Sequence, residues 1–525
     1  MVARRQGQPP RLLRLHPRLP RLRHRPPGHP RRRRRPRGPG ARTPPARRGG
    51  PALRRARTAR AGPRPGGRPP VSAAQRPLAV VYDHGSASAG ELAVGLAASA
   101  PLVFLVRASE HSARTEQVLR QSGRTLRLTE DPEADARALA RLRPRALLTF
   151  AESELRATAE LAARLSLPFH TPHTAAALTD KAEQRALLRR AGLDRVRSHR
   201  VHDAAGWAAA LDALGLPVVV KPPRGQGSRA VHKVTTHGQA AALAKELLPD
   251  ADGWVVEEHL EGRPGLPHGD YVSVETASTP AGTVPLAVTG KHPLVPPFRE
   301  TGQFWPAALS AAEEREVCDL AVAAVRALGV TTGLCHTEIK LTPAGPRLIE
   351  VNGRLGGHLN ELARRACGVD LVGWAGRLAL GEELPGPLPP PRAVHFQYNS
   401  LAPVAPCTLT AVHGARAARA VDGVTGHRPY VRPGGRLPGG TGTAHLDLLW
   451  GTAADHDAMV RTLETALSRL SHEFTFDDGT VHTVHPRLTP PHPDLLCGRP
   501  PHGGPRAPEP ARPPGSRGTA PSTAG

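Results

Sequence analysis

The stretch 333-GLCHTEIKLTPAGPRLIEVNGRLGG-357 reads as two short apolar strands joined by a turn at Pro343-Ala344-Gly345. Residues two apart on a strand share a face, so Glu350, Asn352 and Arg354 point one way, and a hairpin sets Glu338 opposite them. Two carboxylates, an amide oxygen and a guanidinium then converge on one small space. Hard oxygen ligands suit Mg²⁺ or Mn²⁺, which bind through a few carboxylates plus substrate phosphates. Glu338, Glu350 and Asn352 are therefore candidate metal ligands. Arg354 beside them is a fork for phosphate or carboxylate oxygens. A solvated surface hairpin, or plain turn chemistry at Asn-Gly, would read much the same, and the hairpin alone does not choose.

Upstream, residues 310–328 form a helix with Val317, Leu320, Ala321, Ala324 and Leu328 on one core-facing stripe, ended by Gly329. Further back, V-V-V-K ends a strand at Lys221 and runs into Arg224-Gly225-Gln226-Gly227-Ser228-Arg229-Ala230-Val231. Glycines let backbone amides approach a phosphate, and a strand-end lysine neutralises it; ordinary hairpin turns carry glycine too. Asp180 opens a helix that runs to Arg190 and stops at Gly192, with Glu183 placed to complete a capping box. Lys181 in its first turn opposes the helix dipole, so it is either exposed or committed to an anionic ligand. Residues 253–262 form a strand ending in Glu257 and Glu258, followed by His259 and Leu260, and Glu300 sits in a loop.

Apolar runs at 78–82, 102–106 and 146–150 alternate with helical patterns, which predicts a parallel α/β layer over residues 77–172. No G-x-G-x-x-G follows the first run, so the dinucleotide fingerprint is missing. A Pro-rich break lies at 385–391. Residues 392–487 read as a small C-terminal α+β subdomain, and 488–525 as a disordered tail.

The 525 residues carry a formal charge of +26. Residues 1–76 hold 24 Arg, no Lys and no acid, which leaves 26 − 24 = +2 for the remainder. The basic charge belongs to an Arg/Pro-rich tail that cannot bury enough apolar surface to order. It reads as a polyanion-binding arm, as a targeting segment without the apolar core of a secretory signal, or as GC-rich text upstream of the native start. A nearly neutral remainder and 3% aromatic content argue against a nucleic-acid partner. Five scattered cysteines without C-x-x-C spacing predict a reducing, cytoplasmic compartment. No apolar run approaches the roughly 18 residues of a membrane span.

Taken in order, these pieces resemble the ATP-grasp superfamily over about residues 77–480. The resemblance implies an α/β and α+β chain: a Rossmann-like N-terminal pre-domain over 77–172, then two α+β lobes, a small one over 173–262 and a large one with the metal site over 263–384, enclosing ATP. Lys181 and Lys221 resemble the two nucleotide lysines. Gly225, Gly227 and Ser228 resemble the mobile loop G-x-G-S-x-G-V, with Ala230 in place of its last glycine. Glu257, Glu258 and Leu260 match the adenine-holding segment, Glu338, Glu350 and Asn352 the magnesium ligands, and Arg354 the catalytic arginine. G-L-C-H-T-E, I-E-V-N-G-R and P-F-R-E-T-G are most similar to the L-amino acid ligases, the ATP-dependent dipeptide synthetases. Those usually read E-V-N-x-R-P, whereas here Leu355-Gly356-Gly357 follow Arg354.

The implied cofactors are ATP and Mg²⁺ (or Mn²⁺). The implied chemistry is activation of a carboxylate as an acyl phosphate and attack by an amine. Small-molecule carboxylate and amine substrates, amino acids among them, are the implied partners, and a homodimer stays open as the assembly. His336 shares Glu338's face as a candidate for substrate recognition or proton relay, or as a hydrogen-bonded core histidine. Glu300 is a candidate for the first substrate's amino group, or a plain loop carboxylate. Two other functions remain: an ATP-grasp ligase of the carbamoyl-phosphate, biotin carboxylase-like or purine-pathway type, and a polyanion binder acting through the tail.

Overall fold

The computed structural model describes residues 76–248 and 252–488. The tails expected over 1–76 and 488–525 lie outside the described residues, apart from Arg76 and Leu488, and so does Cys497. The runs L-A-V-V-Y and L-V-F-L-V are buried along their whole length, as strands covered on both faces must be. They form β1 (Leu78–Tyr82) and β2 (Leu102–Val106), which join β3 (Arg124–Arg127) and β4 (Ala146–Thr149) in a parallel sheet ordered β3-β2-β1-β4. Alternate residues of β1 enter two cores: Leu78, Val80 and Tyr82 one, Ala79 and Val81 the other.

A second sheet contains β5 (Ser198–Val201), β6 (Val218–Lys221), β7 (His232–Val234) and β8 (Trp254–Glu258), antiparallel in the order β5-β8-β6-β7. Period-two alternation sorts its faces. Val218, Val220 and Val256 pack with Trp207 and Leu243 from two covering helices. Val219, Lys221 and Glu257 therefore face the opposite side, where they line a cavity.

The large sheet begins with β9 (Tyr271–Thr279), β10 (Gly282–Lys291), β11 (Gly302–Trp305), β12 (Gly333–Thr342) and β13 (Gly345–Asn352). The remaining strands are β14 (Val394–Leu401), β15 (Cys407–His413), β16 (Val424–Pro429), β17 (Arg436–Leu437), β18 (His445–Ala453), β19 (Ser471–Phe476) and β20 (Val481–Val484). Eight of these make one antiparallel sheet, β13-β12-β9-β10-β11-β14-β18-β16, and four make another, β17-β15-β19-β20. The larger sheet runs across the Pro-rich 385–391 segment, because β11 pairs with β14. Helix Ala311–Ala327, with a Ser310–Glu313 capping box, buries Val317, Ala321 and Ala324; Leu320 is only half-buried against the same core.

One local expectation is corrected. Asp180 does cap helix Lys181–Arg190, its Oδ1 accepting from the amides of Ala182 (3.1 Å) and Glu183 (3.2 Å), but no capping box forms. The Asp180 N–H that Glu183 would have capped already donates to the Ala176 carbonyl of the preceding helix, 3.0 Å away. The Glu183 carboxylate instead lies 3.9 Å from His173 Nδ1.

His292 ties the end of β10 to β14, its Nε2 3.2 Å from the Gln397 carbonyl. Complete burial pushes its pKa down to about 3. A histidine neutral in the fold and basic in the unfolded chain contributes stability above pH 6.5 that is lost as pH falls toward the folded value. Acidification from pH 7 to 4.5 is therefore expected to cost about 2–3 kcal/mol through this side chain. Denaturant titrations of the His292→Gln protein at both pH values should show an acid loss smaller by that amount; identical losses would contradict the assignment.

Candidate active site

The register of β12 against β13 sets Glu338 directly opposite Glu350 and His336 opposite Asn352, and the chain then turns into the Arg354 loop. Helix Lys181–Arg190 carries Lys181 to this hairpin, its Nζ 3.0 Å from Glu350 Oε1 and 2.9 Å from the Gly225 carbonyl. Lys221 ends β6 and pairs at 2.8 Å with Glu257 of β8. One cavity results. Lys181, Lys221, Gly225, Gly227, Ser228, Glu257, Glu258 and Leu260 line one side, and Glu338, Glu350, Asn352, Arg354 and Glu300 the other. Of the residues expected at the site, His336 alone does not face the opening; it stands behind Glu338, Nε2 to Oε1 3.4 Å.

The charges at the site are interlocked. His336 Nδ1 also bonds to Glu275, its cross-strand partner on β9. Burial alone would lower the imidazole's pKa, but the Glu275 and Glu338 carboxylates override it and hold it at about 9, so it is a cation at neutral pH. That cation keeps Glu338 ionised against the burial that would neutralise it. Burial and the neighbouring Glu338 charge push Glu300 the other way, toward its neutral form. Burial would also discharge Lys181, but the Glu350 charge holds it protonated. At Lys221 burial wins and the ammonium is weakened despite Glu257. Burial alone would raise Glu257, yet Arg185 and Lys221 hold it near 2.

Glu338, Glu350 and Asn352 present oxygen donors only. Among the described residues no three His, Cys, Asp or Glu side chains gather closely enough to hold a metal by themselves. This set suits a hard cation that completes its shell with phosphate oxygens and water. Val219, Leu260, Leu294, Phe298 and Ile349 line the same cavity beside the charged groups and give it an apolar slot. Glu257 and Glu258 do not offer free carboxylates to that slot. The first is held by Arg185 and Lys221, the second by Arg197 at 2.7 Å and Arg347 at 3.7 Å.

The loop from Gly225 to Val231 departs from ordinary backbone at several points. Gly227, Ser228 and Ala230 have φ of +65°, +55° and +55°, in the left-handed region. For alanine that region costs roughly 1–2 kcal/mol. Ala230→Gly is thus expected to leave stability unchanged or raise it by up to about 1 kcal/mol. A clear loss in thermal unfolding would mean that the Ala230 methyl's packing outweighs the strain. Gly356, in the departure from the usual proline pattern, packs against His336: a Cβ there would lie 2.4 Å from Nδ1. Its N–H donates to Glu275 at 3.2 Å, so Glu275 fixes both the imidazole and the Arg354 loop.

Several buried charged residues escaped the sequence reading, Arg185, Glu152 and Glu275 among them. Arg185 spreads its fork over Glu257, Asp194 and the carbonyls of Leu348 and Ile349, at 2.8–3.2 Å. It lies four residues after Lys181, one turn along the same helix face, which was the available signal. Glu152 follows β4 and sits 3.1 Å from Arg354 Nε; Glu275 lies mid-β9 in an otherwise apolar and hydroxylic strand. Neither carried a local signal.

Residues 206–358 match the ATP-grasp domain family. Over 54% of its length the chain is 31% identical to carnosine synthase 1 of Gallus gallus, covering 30% of that protein. It is 26% identical to the alanine–anticapsin ligase of Bacillus subtilis strain 168 over 37% of its length and 45% of that protein's. The chain thus spans less than half of either relative. The L-amino acid ligase structure from Bacillus licheniformis superposes with a TM-score of 0.63, 21% identity and coverage of 76% of this chain and 98% of that one. The chain carries an ATP-grasp domain and is built on the ATP-grasp fold.

Proposed function

We propose that the protein is an ATP-dependent carboxylate–amine ligase that joins amino acids or similar substrates into a dipeptide or related amide, releasing ADP and phosphate. The observation that carries this reading is the one cavity in which two lysines and a glycine loop face a two-carboxylate, one-amide donor set and an arginine. Similarity to carnosine synthase and alanine–anticapsin ligase supports amino acids as the substrate class.

Lys181, Lys221 and the Gly225–Ser228 backbone would hold the nucleotide's phosphates, and the apolar slot its base. A magnesium ion held by Glu338, Glu350 and Asn352 would supply charge neutralisation at the phosphate oxygens. The substrate carboxylate takes the γ-phosphoryl group of ATP, forming an acyl phosphate and ADP. The amine then attacks the carbonyl carbon and phosphate leaves. Arg354 would stabilise the transferring phosphoryl group and the tetrahedral oxyanion, while His336 keeps Glu338 charged.

A panel of amino-acid pairs with ATP and Mg²⁺, scored by phosphate release and product mass, tests the reading. At least one pair is expected to give amine-dependent ADP release and a product of the condensed mass. Phosphate release independent of the amine would argue for a different ATP-grasp chemistry. Deleting residues 1–70 is expected to cost little turnover, since every side chain assigned to the site lies between Lys181 and Arg354. A much larger loss in a folded protein would return the function to the basic tail. Among the described residues no helix is long and apolar enough to cross a membrane.

A further inference from the structure

A second cavity, of about 850 Å³, opens between β16 and β18 of the eight-stranded sheet and β15 and β19 of the C-terminal sheet, and it shares no lining residue with the first. Its size is that of a small-molecule site. On its floor is Asp447, 2% exposed, with His427 and His472 bringing their Nε2 atoms to the same Oδ2 at 3.1 and 2.8 Å. The other oxygen, Oδ1, accepts from the Ser400 amide at 3.3 Å. His472 is aligned for a hydrogen bond; His427 Nε2 is buried and makes none.

Three arginines line the same cavity. Arg416 and Arg419 come from helix Ala415–Arg419, three apart and so neighbours on one side of it, and Arg432 comes from the loop after β16. Among the described residues none of the three has a carboxylate within ion-pair distance. Like charges gathered at an apolar-walled cavity repel one another unless an anion joins them. Leu409, Val431 and Leu446 supply the apolar wall.

We propose that this cavity binds a small organic oxyanion, whose acid group the arginines hold and whose body the apolar wall covers. Guanidinium forks accept a carboxylate or a phosphate alike. The site is an effector site, because its floor strand leads to the first cavity. Two residues before β18, the Thr443 N–H donates to the Gly227 carbonyl at 2.9 Å, and its hydroxyl accepts from the Glu300 N–H at 3.3 Å. A ligand that shifts β18 therefore shifts the segment that holds the glycine loop.

Binding is measured on the full chain without nucleotide, so the outcome is independent of the ligase reading. Succinate and inorganic phosphate serve as separate calorimetric probes, in a buffer free of other polyvalent anions. One of them is expected to bind saturably at one site per chain outside the first cavity, and binding should weaken at least about tenfold in the exposed double variant Arg416→Gln/Arg419→Gln, the loss of charge-assisted hydrogen bonds. The tighter probe identifies the acid group. Absence of saturable binding by both probes, or equal affinity in wild type and a folded double variant, overturns the site. Hydrogen exchange across residues 225–231 should change on ligand addition in the wild type and not in the double variant. Unchanged exchange in the ligand-bound wild type overturns the coupling.

Discussion

Glu350→Gln and Arg354→Ala are each expected to lower amine-dependent ADP release by about 10²–10³-fold while the protein stays folded. Removing one pre-aimed charge at a reacting group costs about 3–4 kcal/mol in the barrier. Glu350 stands at the meeting point of the two halves of the site, 3.0 Å from Lys181 and across the ladder from Glu338. Its amide isostere removes the charge that both the lysine and a hard cation would use, with little change in shape. Arg354 is held between Glu152 (3.1 Å), the Leu355 carbonyl (3.0 Å) and Asn352 Oδ1 (3.4 Å), so its fork is positioned before any substrate arrives. Steady-state ADP release with a saturating amino-acid pair is the measurement. Near-normal turnover in both variants would remove the site from the chemistry altogether.

Arg185→Met should be the most destabilising single change near the site, by about 3–5 kcal/mol, because it leaves buried carboxylates short of their counter-charge. Asp194 and Glu257 are both under 6% exposed, and Arg185 serves both of them while also capping two carbonyls of β13. Lys221 still reaches Glu257 at 2.8 Å, which leaves Asp194 as the more exposed loss. The Gln184 contacts to the amide and carbonyl of Val351, both 2.8 Å, remain as a second tie between helix and hairpin. The urea midpoint is expected to fall accordingly, and Arg185→Lys should not restore it, since one ammonium cannot reproduce a five-donor fork. An unfolding free energy within about 1 kcal/mol of wild type would mean that Gln184 and the apolar contacts already hold helix and hairpin together.

Much of the candidate site was legible because its residues lie on elements with strict local periods. The two-residue repeat of β12 and β13 brought Glu338, Glu350 and Asn352 to one face. The strand-to-loop transition at Lys221 and the glycines after it carried their own backbone chemistry. Harder to read were buried charges whose meaning depends on a partner far along the chain. Arg185 with Glu257, Glu152 with Arg354 and Glu275 with His336 are 72, 202 and 61 residues apart. Each looks like a surface residue in its own segment. The expected Asp180–Glu183 capping box failed for a related reason: the preceding helix had already taken the amide it needed.

The sequence by itself determined the local elements, the side chains that share a strand face, and the order of motifs along the chain, because each follows from backbone period and turn chemistry over a few residues. Only the tertiary structure decided that Lys181 meets Glu350, that His336 is caged between two carboxylates and charged, and that β11 carries the large sheet across the Pro-rich segment into β14. Those outcomes depend on which desolvated charges find partners when distant strands pair. Burial makes that choice costly to get wrong, and no local pattern encodes it.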